Sequence, residues 1–494
     1  MPVAPIRSGR LGRLAGLLVL AATAAVPAVA AERAVEVGGH RYVVHGLVGV
    51  GRIPAATRDG LGETFGSGSG MAMDPAAWHR TATGYAGALW LLPDRGYNVE
   101  GTTDYRARFN RIEVTLTPAP DGASGLPQTQ VDARITATTL LTDETGEPMT
   151  GLDPVGVRAP RAGLPRLPQA VNGRVSLDPE AIVHLADGGF FVSDEYGPFV
   201  YRFSSEGKLL SAIEPPAAFL PIRKGKVDFS SNNPGPGAPT PDPKNPERGR
   251  QNNQGLEGSA LTPDGRFLVS VLQSATRQDG GDDSATRRYT RALIWDVADP
   301  AAPKLVHEYV VPLPVFTDAK GKTTVAAQSE LAAIGEGRFL LLARDSNNGH
   351  GVKGDTSLYR KIEILDFAGA TDIRGTYDEV TPVAPKGVLA DGVEPATLTP
   401  FVDLNDNAEL GRFGLHNGKP DDENLLSEKW EAMGLVPTLD PARPDDFFLF
   451  VANDNDFITQ KGFQVGAAYA DAGGAEVDTM FLVWRVTLPG LARR

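Results

Sequence analysis

Four times along the chain a glutamate is followed by a turn and then by a strongly apolar segment ending in polar or acidic residues. Glu180 precedes Phe190-Phe191-Val192-Ser193-Asp194-Glu195, and Glu257 precedes Phe267-Leu268-Val269-Ser270. Glu330 leads to Phe339-Leu340-Leu341-Leu342-Ala343-Arg344-Asp345, and Glu431 leads to Phe447-Phe448-Leu449-Phe450-Val451-Ala452-Asn453-Asp454. A fifth copy, lacking the glutamate, runs from Gly70-Met71 to Leu91-Leu92-Pro93-Asp94-Arg95. Repetition on this scale means stacked supersecondary units that bury their apolar faces against one another.

The spacing identifies the unit. Ten residues separate the glutamate from the first phenylalanine in the first two copies, nine in the third and 16 in the fourth, where residues 436–446 lengthen the loop. Asp187-Gly188-Gly189, Asp264-Gly265 and Glu336-Gly337 fall between the two segments, and glycine accepts the positive φ that a tight hairpin needs. Between Glu257 and Glu330, 73 residues apart, lie four strand candidates at 258–262, 266–273, 289–297 and 304–311. Four antiparallel strands per repeat make the blade of a β-propeller. Residues 35–50, 109–117 and 131–141 also read as strands, being rich in valine, threonine and isoleucine.

The expected fold is therefore all-β, a propeller of four-stranded antiparallel blades. Residues 31–494 divided by a 73-residue repeat give about six blades, within a range of five to seven. Residues 480–488 form a terminal strand that residues 35–44 can join, closing the ring and removing two sheet edges. Two long insertions, 221–254 and 403–428, have the length of lids, binding loops or disordered segments. Neither is a domain boundary, because the repeat resumes after each.

Residues 1–30 read as a Sec-type signal peptide, with Arg7, Arg10 and Arg13, an apolar run at 14–26 and Ala28-Val29-Ala30 as cleavage site. A retained N-terminal anchor is the alternative, although the run is short for a membrane span. Residues 31–494 then form a single domain that is exported, periplasmic or extracellular, with no stable membrane insertion. The chain has no cysteine, which excludes disulfides, thiolate nucleophiles and cysteine-ligated zinc or iron–sulfur clusters. A net charge of −13 argues against nucleic acid as a partner.

In a propeller the innermost strand of each blade lines the central channel, so Glu180, Glu257, Glu330 and Glu431 point towards one axis. At a separation of about 8 Å each pair repels by roughly 2 kcal/mol at an effective dielectric near 20. Six pairs total on the order of 12 kcal/mol, as large as a domain's stability. Protonation, basic partners or bound cations must compensate, and an all-oxygen set suits Ca²⁺, or less well Mg²⁺, better than zinc. The competing reading is that these carboxylates cap backbone N–H groups and hold blades together.

A second constellation lies at the far ends of the apolar segments: Asp94-Arg95, Asp194-Glu195, Arg344-Asp345 and Asp454-Asn455-Asp456. Carboxylates that hold a cation beside guanidinium groups that grip phosphate oxygens suit a phosphoester site. Surface ion pairs are the bland alternative. No G-x-S-x-G or H-E-x-x-H motif is present. His350, in Asp345-Ser346-Asn347-Asn348-Gly349-His350, is the best acid/base candidate, set against a solvated loop histidine.

Leu177-Asp178-Pro179-Glu180-Ala181, Phe191-Val192-Ser193-Asp194-Glu195-Tyr196-Gly197, Asn252-Asn253-Gln254-Gly255-Leu256-Glu257-Gly258 and Ala452-Asn453-Asp454-Asn455-Asp456-Phe457 resemble the phytase-like family of secreted β-propeller proteins, described as having esterase-like activity of phytase. Asp94-Arg95-Gly96 and Arg344-Asp345 fit the same pattern, and the resemblance spans roughly residues 45–488. It implies a propeller with hydrolytic activity by kinship with calcium-dependent propeller phytases, and it supports Asp194 and Glu195 as cation ligands. The expectation is a cation-dependent hydrolase of a small anionic phosphoester or related ester. Glu180, Glu257, Glu330, Glu431, Asp94, Asp194, Glu195, Asp345 and Asp454 are the candidate metal ligands, and Arg95, Arg344 and His350 the candidate catalytic groups. A metal-centred lactonase or carboxylic esterase is one rival, and a non-catalytic ligand-binding or envelope scaffold is another.

Overall fold

The computed structural model describes residues 33–491 except 99–100, 319 and 336, together with residues 1 and 4. The signal-peptide reading and one residue of the Glu336-Gly337 turn lie outside the described residues.

The apolar segments are second strands of blades, and their composition follows from burial on both faces. Along Arg338–Arg344, Phe339, Leu341 and Ala343 pack towards the third blade, while Leu340 and Leu342 pack towards the fifth. Along Asp446–Asp454, Phe447, Leu449 and Val451 face the fourth blade, while Phe448, Phe450 and Ala452 face the first. Side chains alternate sides along a strand, so a strand between two apolar layers reads as an unbroken apolar run. Five buried apolar clusters result, one at each blade–blade interface.

Five blades form a closed ring. The first four are four-stranded, with inner strands Gly70–Arg80, Pro179–His184, Leu256–Leu261 and Ala327–Gly335. The fifth is five-stranded, running outward from Lys429–Pro437 through Asp446–Asp454, Thr479–Thr487 and His40–Ile53 to Arg33–Val37. Each inner strand packs on the next, and Lys429–Pro437 returns to Gly70–Arg80. The N-terminal strand pairs with the C-terminal one from Val43 opposite Thr487 to Ile53 opposite Thr479. The ring closes as expected, but through residues 43–53 rather than 35–44, because the chain turns at Gly38-Gly39 and Arg33–Val37 becomes the outermost strand. The number five falls at the lower end of the expected range, below the value of six. The 73-residue repeat underestimates the average because insertions stretch the others: 101 residues separate Glu330 from Glu431.

In the third blade the four strands are Leu256–Leu261, Phe267–Leu272, Tyr289–Asp296 and Lys304–Pro312, each within two residues of expectation. The hairpin glycines Gly188, Gly265 and Gly337 take φ of +84°, +73° and +68°, as tight turns require.

Candidate functional site

Antiparallel pairing puts the start of each inner strand beside the end of the second strand. Asp194 pairs with Pro179, Arg344 with Ala327 and Asp454 with Lys429. The two acidic constellations are thereby brought to one end of the channel. The inner strand also breaks register at or next to every repeated glutamate, opposite Ser193, between Leu256 and Ser259, between Gln328 and Glu330, and between Trp430 and Ala432. A bulge bends the strand and re-aims a side chain.

A cavity of about 270 Å³ occupies this end, lined by the carboxylates of Asp94, Asp178, Glu180, Glu195, Glu257, Glu428, Glu431 and Asp456 and the cations Arg95, Arg344 and Lys429. Asn98, Asn253, Gln254, Gln273 and Ser346 complete the wall, with no apolar side chain among them. The larger cavity, about 580 Å³, lies at the opposite end of the channel and is mainly apolar, with Met71, Ile182, Leu331 and Met433 in its wall. The chemistry therefore sits in the smaller space.

The three cations are unevenly shared. Arg95 Nη1 lies 2.7 Å from Asp178 Oδ2 and also donates to Asn253 Oδ1. Arg344 donates to Glu431 through Nη2, and its Nη1 is 3.8 Å from Glu428. Lys429 Nζ contacts Asp454 at 2.6 Å, Asp456 at 2.9 Å, Glu431 at 3.5 Å and Asp94 at 3.7 Å. Among the described residues, no lysine or arginine pairs with Glu180, Glu195 or Glu257. Asp178, Glu180 and Glu195 each bring one oxygen within 4.8 Å of the other two. Asp178 Oδ1, Glu195 Oε1 and Glu257 Oε2 are buried and accept no hydrogen bond, as is Gln254 Oε1. Buried polar atoms are normally paired, so this group of orphaned oxygens fits a hard, oxygen-liking cation.

Burial pushes the Glu180 carboxyl well above the usual carboxylate range, and Glu257, Asp178 and Glu195 push it further. Burial raises Glu257 in the same way, reinforced by Glu195 and Glu431. Asp178 is raised by burial despite Arg95, and Asp94 by burial and Asp454. Burial disfavours the Lys429 ammonium, but Asp454, Asp456, Glu431 and Asp94 more than offset it and hold its pKa high. A bound cation would favour the charged forms that burial disfavours, so its binding here would release protons.

Of the residues singled out from the sequence, Glu180, Glu257, Glu431, Asp94, Glu195, Arg95 and Arg344 line the cavity. Asp454 stands against Lys429. Four stand elsewhere. Glu330 turns from the cavity and accepts from the Leu331 N–H at 2.8 Å. Burial holds its carboxyl well above the usual carboxylate range, although the backbone N–H groups of Leu331, Ser259 and Met71 oppose the shift. Asp194 accepts from the backbone of Asp178, Tyr196 and Gly197 and from the Tyr201 hydroxyl. Asp345 accepts from Ser357 Oγ, Leu358 N and Asn348 Nδ2. His350 lines a separate cavity of about 160 Å³, with Nδ1 2.7 Å from Asp421 and Nε2 3.1 Å from the Glu476 carbonyl.

Asp178, Lys429 and Glu428 belong to the cavity but escaped the site reading, and Asp456, which stands in the second constellation, was not among the candidate ligands. A signal existed for two of them. Asp178 and Lys429 stand two residues before Glu180 and Glu431, and residues i and i+2 of a strand share a face. The long insertions add to the wall from their ends, Asn253 and Gln254 from one and Glu428 from the other.

The family whose description is "Esterase-like activity of phytase" matches residues 63–457. A protein of Arthroderma benhamiae called an uncharacterized secreted protein is 40% identical over 463 residues, covering 87% of this chain and 90% of its own. Among solved structures, a luciferin-regenerating enzyme aligns at 12% identity with a TM-score of 0.28, covering 90% of this chain and 96% of its own. A PQQ-bound aldose sugar dehydrogenase from Streptomyces coelicolor aligns at 12% identity and a TM-score of 0.28, covering 90% and 98%. Both structures are too distant to bear on this chain. Among the described residues no helix is long and apolar enough to cross a membrane.

Proposed function

The chain belongs to the phytase-like family, and on that premise we propose that it is an exported, cation-dependent propeller hydrolase acting on a phosphoester or related ester. One observation carries the reading: three buried carboxylates, Asp178, Glu180 and Glu195, converge within 4.8 Å without a neutralising group for each. They would hold Ca²⁺, with Mg²⁺ second because it demands stricter octahedral geometry. When bound, the ion supplies Lewis-acid polarisation of an ester oxygen and activation of water. Arg95 and Arg344, in the cavity wall, orient an anionic group. Glu257, whose Oε2 accepts no hydrogen bond, is our candidate proton acceptor. Export is supported by the sequence of residues 1–30 and by the description of the 40%-identical relative as secreted.

The excess of carboxylates over cations in the wall favours a second reading. An anionic phosphoester enters such a cavity only once cations have neutralised it, whereas a neutral lactone or carboxylic ester meets no such barrier. Assays of the mature protein on a phosphomonoester, a lactone and a carboxylic ester, each with Ca²⁺ and with chelator, separate the two. The lead reading expects chelator-sensitive phosphomonoester hydrolysis that Glu180→Gln lowers by about 10²-fold. Chelator-sensitive activity confined to lactones or carboxylic esters moves the assignment to the second. Absence of all three activities, with no cation bound, leaves a ligand-binding scaffold.

A further inference from the structure

Two carboxylate triads lie at this end of the channel, and their basic partners sit differently: Arg95 pairs with Asp178 alone, whereas Lys429 reaches all three members of its group. We propose that Asp94, Asp454 and Asp456 form a second cation cage, which the ammonium of Lys429 fills as a tethered cation. The three aspartates bring one oxygen each within 4.8 Å of one another, as Asp178, Glu180 and Glu195 do. Lys429 Nζ stands inside that group, 2.6 Å from Asp454, 2.9 Å from Asp456 and 3.7 Å from Asp94. A fourth oxygen points the same way independently. Glu431 is 2% exposed, its Oε2 accepts no hydrogen bond, and Nζ is 3.5 Å away.

The blade repeat explains how the two cages came to differ. Asp178 and Lys429 stand at the same sequence offset, each two residues before the glutamate of its blade. An acid there adds a third carboxylate to the second blade's group, where Arg95 pairs with Asp178 and leaves Glu180 and Glu195 without a basic partner among the described residues. A lysine there supplies the charge from within the chain. An ammonium has three donors and one charge, whereas Ca²⁺ takes six to eight oxygens and brings two charges. Lys429 thus satisfies its cage incompletely, which accounts for the Glu431 oxygen that accepts no hydrogen bond. With the cavity read as cation-dependent, one exchangeable ion works beside a fixed ammonium.

Removing the ammonium should turn the second cage into a divalent site. Calcium calorimetry on the full mature chain compares wild type with Lys429→Gln and Lys429→Ala. The expected result is one additional equivalent of Ca²⁺ in each variant, lost again when Asp454→Asn is added, and a larger rise in melting temperature on adding Ca²⁺ than in wild type. A folded variant that gains no equivalent overturns the inference. For a variant unfolded in chelator, refolding on addition of Ca²⁺ supports it and failure to refold overturns it. The wild-type count reports separately on the Asp178 cage. No ion in wild type with one gained in Lys429→Gln sinks the cation-dependent reading while sustaining this one.

Discussion

At the scale of the residue, the four repeated glutamates are chemically unequal although the sequence presents them as copies. Glu330 accepts from the backbone N–H of Leu331, so Glu330→Ala leaves a buried N–H without that acceptor and should cost about 2 kcal/mol in denaturant unfolding. Glu180→Gln removes a carboxylate that burial and its acidic neighbours disfavour, and in chelator it should raise the melting temperature. Equal losses in the two variants would contradict the division. A cleaner pH response lies away from the cavity, where Arg291 is shared by Asp279 at 2.8 Å and Glu308 at 2.9 Å. Asp279 also takes backbone N–H groups of Val383 and Ala384. Burial pushes Glu308 up to about 7, with Arg291 opposing and Asp378 reinforcing. An unfolded glutamate titrates near 4.3. The folded value is the higher, so this contribution is complete below about pH 4 and disappears as pH rises through 7. Thermal unfolding between pH 5 and 8 should show a smaller loss in Glu308→Gln than in wild type, and parallel profiles would contradict it. Residue roles were legible in the sequence only where periodicity spoke. Glu180, Glu257 and Glu431 followed from the repeat, whereas whether an acid turns to the cavity or to backbone depends on bulge geometry that spacing does not encode.

At the scale of the element, the bulges and the small residues around them let inner strands crowd the axis. A methyl group at Gly258 would lie 2.7 Å from the Glu330 carbonyl carbon and from Leu331 N, and one at Gly70 would lie 2.3 Å from Glu180 O. Backbone cannot yield as a flexible side chain can. Gly258→Ala should therefore destabilise by about 2 kcal/mol in denaturant unfolding and lower ester hydrolysis, because Glu257, the candidate proton acceptor, shares the bulge. An unchanged midpoint would show that the ring is looser than described. Strands were the most legible level. Phe339 to Ala343 is apolar throughout because both faces are buried, and in the third blade Asp264-Gly265 plainly marks the hairpin before Phe267–Leu272. The insertions were legible as loops only. Nothing in their composition shows that Asn253, Gln254 and Glu428 reach the cavity, since that depends on how the loop ends pack over the ring.

At the scale of the whole molecule, closure depends on the N-terminal hairpin, since His40–Ile53 covers the otherwise open edge of Thr479–Thr487. Deleting residues 31–53 exposes that edge and uncovers part of the apolar clusters on either side of the fifth blade. The truncated chain should lose its cooperative unfolding transition and aggregate, and a soluble, cooperatively folded product would refute the closure. This closure was visible in the sequence as two unpaired terminal strands. The blade number was not, because insertions of unequal length blur the repeat. What the ring accomplishes is to gather more buried carboxylates than its own cations neutralise, and that is the centre of the account. Calorimetric Ca²⁺ titration of the chelator-treated mature protein, with melting temperature followed in parallel, tests it most directly. The account predicts at least one equivalent bound with proton release, a higher melting temperature, and loss of both effects in Asp178→Asn and Glu180→Gln. No binding and an unchanged melting temperature, with Mg²⁺ equally inert, would contradict it.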